Sequence, residues 1–307
     1  MNAERLQPTF LRAGIKIVGG EGRHFMRKGI PLCGLTINLS FKTNMNITHT
    51  RVITFSPTHT SLKIARAVAR GCKVAPDEEL DLTCHQLRDV VRPGSDCLAV
   101  ISAPVYAGRV APLALQRLKN VRGEQTPAIL LVVYGNRDYE DALVELRDAM
   151  TAQGFVPVAA GAFIGEHSYS RPGMPIAEGR PDADDLQRAE DFGARACRKL
   201  EAASSVEDLT PFYIKGNVPY REVGKPTPQA PVWHEDDCTG CGTCIDCCPT
   251  MSIRMTDEGE VQTEPSTCIK CCACVKACPS GALVFDTPYT AMLHAKFSAR
   301  REPEEFM

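Results

Sequence analysis

Long apolar runs are missing from this 307-residue chain: no stretch of eighteen apolar residues occurs, so no membrane-spanning helix is predicted. A strong charge of one sign is missing as well. Against 35 Lys and Arg stand 37 Asp and Glu, and a net of -2 gives no support for nucleic-acid binding. No export signal is recognisable, which argues against a secreted disulfide scaffold and leads us to expect a reducing, cytoplasmic setting. No Gly-Lys-Ser/Thr sequence is present, so a nucleoside-triphosphate loop is not expected. Hydrophobic residues at 44 % still suffice for a globular core, and the length suits two domains.

What the chain has in excess is cysteine. Ten of its 15 cysteines fall between 238 and 278. Cys238, Cys241, Cys244 and Cys248, followed by Pro249, recur as Cys268, Cys271, Cys274 and Cys278, followed by Pro279. This is C-x2-C-x2-C-x3-C-P written twice. Three cysteines at that spacing can wrap one face of a cuboidal iron-sulfur cluster, while the fourth reaches the cluster of the other half. Cys238, Cys241, Cys244 and Cys278 are therefore assigned to one 4Fe-4S cluster, and Cys268, Cys271, Cys274 and Cys248 to the second. Tetrahedral zinc takes four ligands and would leave half of each run unexplained. Cys247 and Cys272 break the repeat's symmetry and are read as non-ligands.

An apolar run follows each fourth cysteine, Met251 to Met255 and Ala282 to Phe285, as a short strand would require. Residues 234–286 resemble the bacterial two-cluster ferredoxins. Nine Asp or Glu stand against three Lys or Arg between 233 and 287, an imbalance that would either steer the segment to a basic face of a redox partner protein or simply form a solvated surface.

The sequence before the cysteines has a different rhythm. Apolar runs at Arg51–Phe55, Asp96–Ser102, Ala128–Val133 and Phe155–Phe163, with a weaker one at Leu80–Thr83, alternate with segments of helical apolar spacing, the last at Ala183–Leu200. Unbroken strands between amphipathic helices indicate a parallel sheet covered on both faces. A doubly wound α/β domain is expected over residues 50–203. A proline-rich linker, extended and semi-rigid, is expected over 204–232, a small α+β cluster domain over 233–287 and a C-terminal tail over 288–307. Residues 1–50 carry a net charge of +5, from seven basic and two acidic residues. With no clear period before the first strand, residues 1–49 are read as an extension, and Met45 is the expected start of the functional protein.

Three loops of the first domain carry a further resemblance. Ser56-x-Thr58-x-Thr60-Ser61, Pro104-Val105-Tyr106-Ala107-Gly108-Arg109 and Tyr134-Gly135-Asn136-Arg137 resemble the FMN loops of flavodoxins. Residues 50–286 as a whole resemble a family of flavodoxin-ferredoxin fusion proteins of anaerobic bacteria and archaea. The resemblance implies that Ser56, Thr58, Thr60 and Ser61 hold the FMN phosphate, at a helix N-terminus suited to anions. It places Tyr106 and Gly108 on one side of the isoalloxazine and Gly135, Asn136 and Tyr139 on the other. His59 departs from the pattern, since flavodoxins usually have glycine there. Arg137 is open to pairing with substrate, flavin or a neighbouring acid, and His167 to a proton-donor or a structural role. Cys72, Cys84, Cys97 and Cys197 have no metal spacing and read as buried small hydrophobes. The expected function is an electron-transfer iron-sulfur flavoprotein. The alternatives are an FMN-dependent reductase of a small molecule fed by the clusters, and a ferredoxin with a flavin-free docking domain.

Overall fold

β-branched and aromatic residues at 51–55 favour extended backbone, and the computed structural model, which describes residues 46–74, 79–84, 87–224 and 227–307, has β1 (His49–Thr54) there. The expected start at Met45 and the basic segment before it lie outside the described residues. The chain continues through α1 (Thr60–Cys72), β2 (Leu80–Asp81), β3 (Cys97–Tyr106), β4 (Arg109–Val110) and α2 (Pro112–Leu118). Then come β5 (Thr126–Tyr134), α3 (Ala142–Thr151), β6 (Phe155–Ile164) and α4 (Ala183–Glu201).

The parallel strands lie in the order β2-β1-β3-β5-β6. Numbered along the chain this is 2-1-3-4-5, the flavodoxin-like doubly wound order, so the expected fold class is borne out. One face of the sheet buries Ile53, Ile101 and Leu130 against α2 and α3, the latter through Leu143. The other buries Val100, Ile129 and Phe163 against α1 and α4, the latter through Phe192. Those two helices cross in close contact because Gly71 and Gly193 leave no side chain between them: a Cβ on either would strike the backbone of the partner helix. α4 begins with a capping box, in which Asp182 and Asp185 each accept from the other's backbone N–H.

Strand β3 runs four residues past the expected end at Ser102, because Ala107 and Gly108, both at positive φ, make a two-residue turn that pairs it with β4. The expected loop after the third strand is therefore largely a hairpin.

The proline-rich stretch is strapped to the sheet unit. Ile214 is buried in the core, and the carboxylate of Asp141 accepts from the backbone N–H groups of Asn217 and Arg221 at 2.8 and 2.7 Å. The cysteine segment follows as β7 (Val232–Trp233), α5 (Thr243–Asp246), β8 (Ile253–Met255), β9 (Val261–Thr263), α6 (Ala273–Ala277) and β10 (Leu283–Val284). β8 pairs with β9, and β10 returns to pair with β7. After α7 (Pro288–Phe297), capped by the Thr287 hydroxyl, the tail forms β11 (Glu304–Phe306). β11 lies antiparallel on the edge of β6, so the chain that left the sheet at α4 comes back to it. Among the described residues no helix is long and apolar enough to cross a membrane.

Candidate functional site

The cysteine segment folds around two recesses. A 3-10 turn at Glu235–Asp237 leads into Cys238, and Gly240 and Gly242, both at positive φ, bend the chain tightly between the first three cysteines. Cys238, Cys241 and Cys244 line a recess of about 340 Å³ together with Cys278, with Trp233, Met255 and Leu283 as its apolar wall. Cys268, Cys271 and Cys274 line a recess of about 310 Å³ together with Cys248, beside Ile253 and Ile269. Each recess thus draws three cysteines from one run and the fourth from the other. Among the described residues no three Cys, His, Asp or Glu side chains converge as a single ion would require. Thiols spread around the wall of a recess suit a multi-atom cluster.

Cys247 borders neither recess, and its thiol donates to the Cys244 carbonyl at 3.6 Å. Cys272 borders the second recess, but its thiol donates to the Lys270 carbonyl at 3.7 Å.

Hydrogen bonds reach sulfurs in both runs. Cys241, Cys248 and Cys278 have hydroxyls two residues on, from Thr243, Thr250 and Ser280, at 3.4, 3.6 and 3.6 Å. The Ser252 and Lys270 amides donate to the sulfurs of Cys248 and Cys268 at 3.3 and 3.4 Å. Such bonds favour thiolate and tune cluster potential.

In exposure the recesses differ. Cys241 is exposed, and hydrogen bonds from Thr243 hold its thiol below the ordinary value. Burial opposes ionisation of Cys278, yet hydrogen bonds from Ser280 and from the backbone of Ala282 and Leu283 outweigh it and lower that thiol too. In the second recess Cys271 and Cys274 are buried, and burial pushes Cys271 up to about 12. Loading iron there must drive off protons that the free thiols hold.

The second recess is the inner one. Beside it, Lys276 of α6 donates to the Ser170 carbonyl at 2.8 Å and pairs with Glu166 at 2.5 Å, both in the loop after β6. The Phe285 ring stands 5.1 Å from that of Tyr169, and Asp286 pairs with Arg171 at 2.9 Å. Ile269 packs on the core beneath α2 and α3, and Arg117 of α2 donates to the Pro249 carbonyl. Tyr106, at the end of β3, lies near the thiols of the same recess: burial first, then the nearby Cys271 and Cys272, raise its phenol well above the usual value. Of the four cysteines before this segment among the described residues, Cys72, Cys97 and Cys197 are buried as expected, whereas Cys84 is exposed and donates to the Asp246 carbonyl at 3.8 Å. Cys84 sits in a loop facing the cysteine segment, which a local apolar pattern does not reveal.

The loops at the carboxyl ends of the strands divide into a phosphate end and a ring end. At the phosphate end Ser56 is buried, its Oγ accepting from the Leu62 amide in the first turn of α1 at 3.0 Å, while the side chain of the N-cap residue His59 makes no capping bond. Ser61 is wholly buried with a hydroxyl that finds no partner, while Thr58 and Thr60 are half-buried. His59 takes the left-handed conformation (φ 62°) itself, with its side chain exposed, so the tight turn survives without glycine at about 1–2 kcal/mol. The unpartnered Ser61 hydroxyl beside a helix N-terminus fits a phosphate.

The ring end is filled by the protein. His167 covers Gly135 so closely that a Cβ there would clash with it. Asn136 is buried, and its amide donates to the Phe297 and Ala299 carbonyls at 2.5 and 2.8 Å. Tyr139 is wholly buried and donates to Glu304 of β11 at 2.7 Å. Gly108 is covered by Glu140, leaving Tyr106 as the one expected ring contact beside the inner recess. Arg137 pairs with Glu140 at 3.0 Å. The Nδ1 of His167 accepts from the Tyr169 amide at 3.0 Å, and burial lowers its pKa to about 4, so the ring is neutral at neutral pH.

A family described as the 4Fe-4S dicluster domain matches residues 230–279. The segment is thus a 4Fe-4S binding domain. No protein among the curated ones matches the chain. Among solved structures, the chain is similar to a flavodoxin from the domain Archaea (11 % identity, 50 % of this chain and 99 % of that one, TM-score 0.34). It is also similar to a flavodoxin from Bacillus cereus (11 %, 49 % and 97 %, TM-score 0.31). A third is the flavodiiron protein from Giardia intestinalis (18 %, 55 % of this chain but 40 % of that one, TM-score 0.33).

Proposed function

We propose that the chain is an electron-transfer protein that passes single electrons between two 4Fe-4S clusters with crossed ligation. Cys238, Cys241, Cys244 and Cys278 hold the outer cluster, and Cys268, Cys271, Cys274 and Cys248 the inner one. The observation that carries this reading is the sorting of the eight cysteines into two recesses, each completed by the fourth cysteine of the opposite run. The outer site, with Cys241 exposed beside Glu235, Asp236 and Asp237, is where a redox partner with a basic face would dock.

The reading extends to FMN beside the inner cluster. Its phosphate would rest on Ser56, Thr58, Thr60 and Ser61, supported by the orphaned Ser61 hydroxyl. Bound there, a flavin supplies conversion between one-electron and two-electron chemistry. A second reading, a flavin-free docking domain, is favoured by the engagement of Asn136, Tyr139 and Gly135 with the protein's own tail and loop.

Iron and FMN content after strictly anaerobic purification tests both. About eight irons with stoichiometric FMN is the result expected of the flavoprotein. About eight irons with no FMN, and none taken up on soaking, selects the flavin-free reading. About four irons per chain or fewer overturns the two-cluster proposal.

A further inference from the structure

Among the described residues Arg117 is a buried cation with no carboxylate paired to it. Its side chain projects from α2 and donates to the carbonyls of Leu82, Thr83 and Pro249, and its guanidinium lies 5.5 Å from the centre of the Phe55 ring. Only 9 % of the residue is exposed, and among the described residues no carboxylate stands within ion-pair distance. Asp81 and Cys84 lie near enough to favour its charge, but the Asp81 carboxylate is turned to the Thr83 amide at 2.8 Å. Isolated buried charges are costly, so a cation left this way needs a counter-charge. Three carbonyl dipoles supply part of it.

The remainder lies next along the chain. Pro249 directly follows Cys248, the crossed ligand of the inner recess, so the guanidinium grips the backbone that presents this thiolate. A 4Fe-4S cluster with four thiolates is an anion, and reduction adds one electron and one more negative charge without changing any bond to the protein. A nearby buried cation therefore favours the reduced form. Other cations nearby are weaker in this role. Lys276 is neutralised by Glu166, and Lys270 is only half-buried, its ammonium on the Thr227 carbonyl at 3.0 Å.

We propose that Arg117 is the charge-setting residue of the inner site: it fixes the backbone after Cys248 and raises the reduction potential of the cluster ligated there, leaving the outer cluster untouched. The inference rests on the two-cluster reading. An electron arriving at the exposed outer site is thereby drawn inward.

The experiment compares the iron-loaded full chain with Arg117→Gln and Arg117→Lys in an anaerobic redox titration followed by electron paramagnetic resonance. Signals are assigned with Cys238→Ser and Cys268→Ser, each of which perturbs one cluster. With iron content unchanged, Arg117→Gln lowers the inner cluster's reduced-to-oxidised ratio about tenfold at the wild-type midpoint and does not move the outer one. Arg117→Lys, which keeps the charge but loses the fork of donors, stays near wild type. If Arg117→Gln does not accumulate, Arg117→Met removes the same charge at similar length. Unmoved midpoints, or equal shifts of both clusters, overturn the proposal. Absence of two cluster signals in the wild-type chain overturns the two-cluster reading instead.

Discussion

The two cysteine recesses are built from the same repeat, yet they sit in opposite surroundings. The outer one is rimmed by Gly240, Gly242 and Cys241 close to water, after three consecutive acids, and two of its thiols are held below the ordinary value by hydrogen bonds. The inner one is pressed against the flavodoxin-like sheet, with the thiols of Cys268, Cys271 and Cys274 raised by burial and with Arg117 and Lys270 beside it. Identical spacing supplies the same set of cysteines, and the flanking residues leave one recess open to water and bury the other.

The largest effect that bears on this difference is loss of iron. Cys248→Ala removes about half the iron, and the half lost carries the signals perturbed by Cys268→Ser rather than by Cys241→Ser. Iron analysis with magnetic resonance checks it, and uncrossed ligation would give the reverse pairing.

Next comes the rate of attack. The outer cluster is lost to a chelator under air well before the inner one, because Cys241 is open to solvent and Cys271 and Cys274 are not. The decay of visible absorbance should be biphasic with equal amplitudes. A single phase would erase the distinction between the sites.

Acid acts on the inner side through His167. Its pKa is about 4 in the folded chain against an ordinary 6.5. Above 6.5 both states are neutral; between 6.5 and about 4 only the unfolded chain takes the proton, so stability falls as the pH falls through that window. Thermal midpoints measured from pH 7 to pH 4.5 should drop less steeply in His167→Gln than in wild type.

Smallest is Lys276→Ala, which breaks the partly exposed pair with Glu166 and the bond to the Ser170 carbonyl. It costs about 1 kcal/mol in a denaturant titration. The outer cluster's signal should not move.

Much of this was legible in the residues. The doubled cysteine signature placed all eight thiols by local spacing, and alternating apolar runs at 51–55, 96–102, 128–133 and 155–163 located four of the parallel strands. Strand order is carried by long-range pairing, so a resemblance was needed to expect it. The surroundings of the expected ring residues were hidden for the same reason. Asn136 and Tyr139 stand where a flavin loop would put them, but Glu304 and the Phe297 carbonyl, more than 150 positions on, engage them instead. β11 had no signal at all: Glu304-Glu305-Phe306 is short and charged, and it becomes a strand because β6 offers an unpaired edge and Arg188 and Arg195 pair with Glu305. Arg117 was equally silent, one arginine in an unremarkable amphipathic pattern.

The return of β11 to β6 has a consequence for how charge can travel. With α4 before it and β11 after it both fixed to the same sheet, and Asp141 holding the strap between, the cysteine segment is a loop pinned at both ends. A tethered carrier that swings between donor and acceptor needs one free hinge. If it carries the proposed clusters, this chain offers instead a fixed span, whose throughput would be set by the distance between stationary centres and not by diffusion of an arm, and which would run at the same speed however viscous its surroundings.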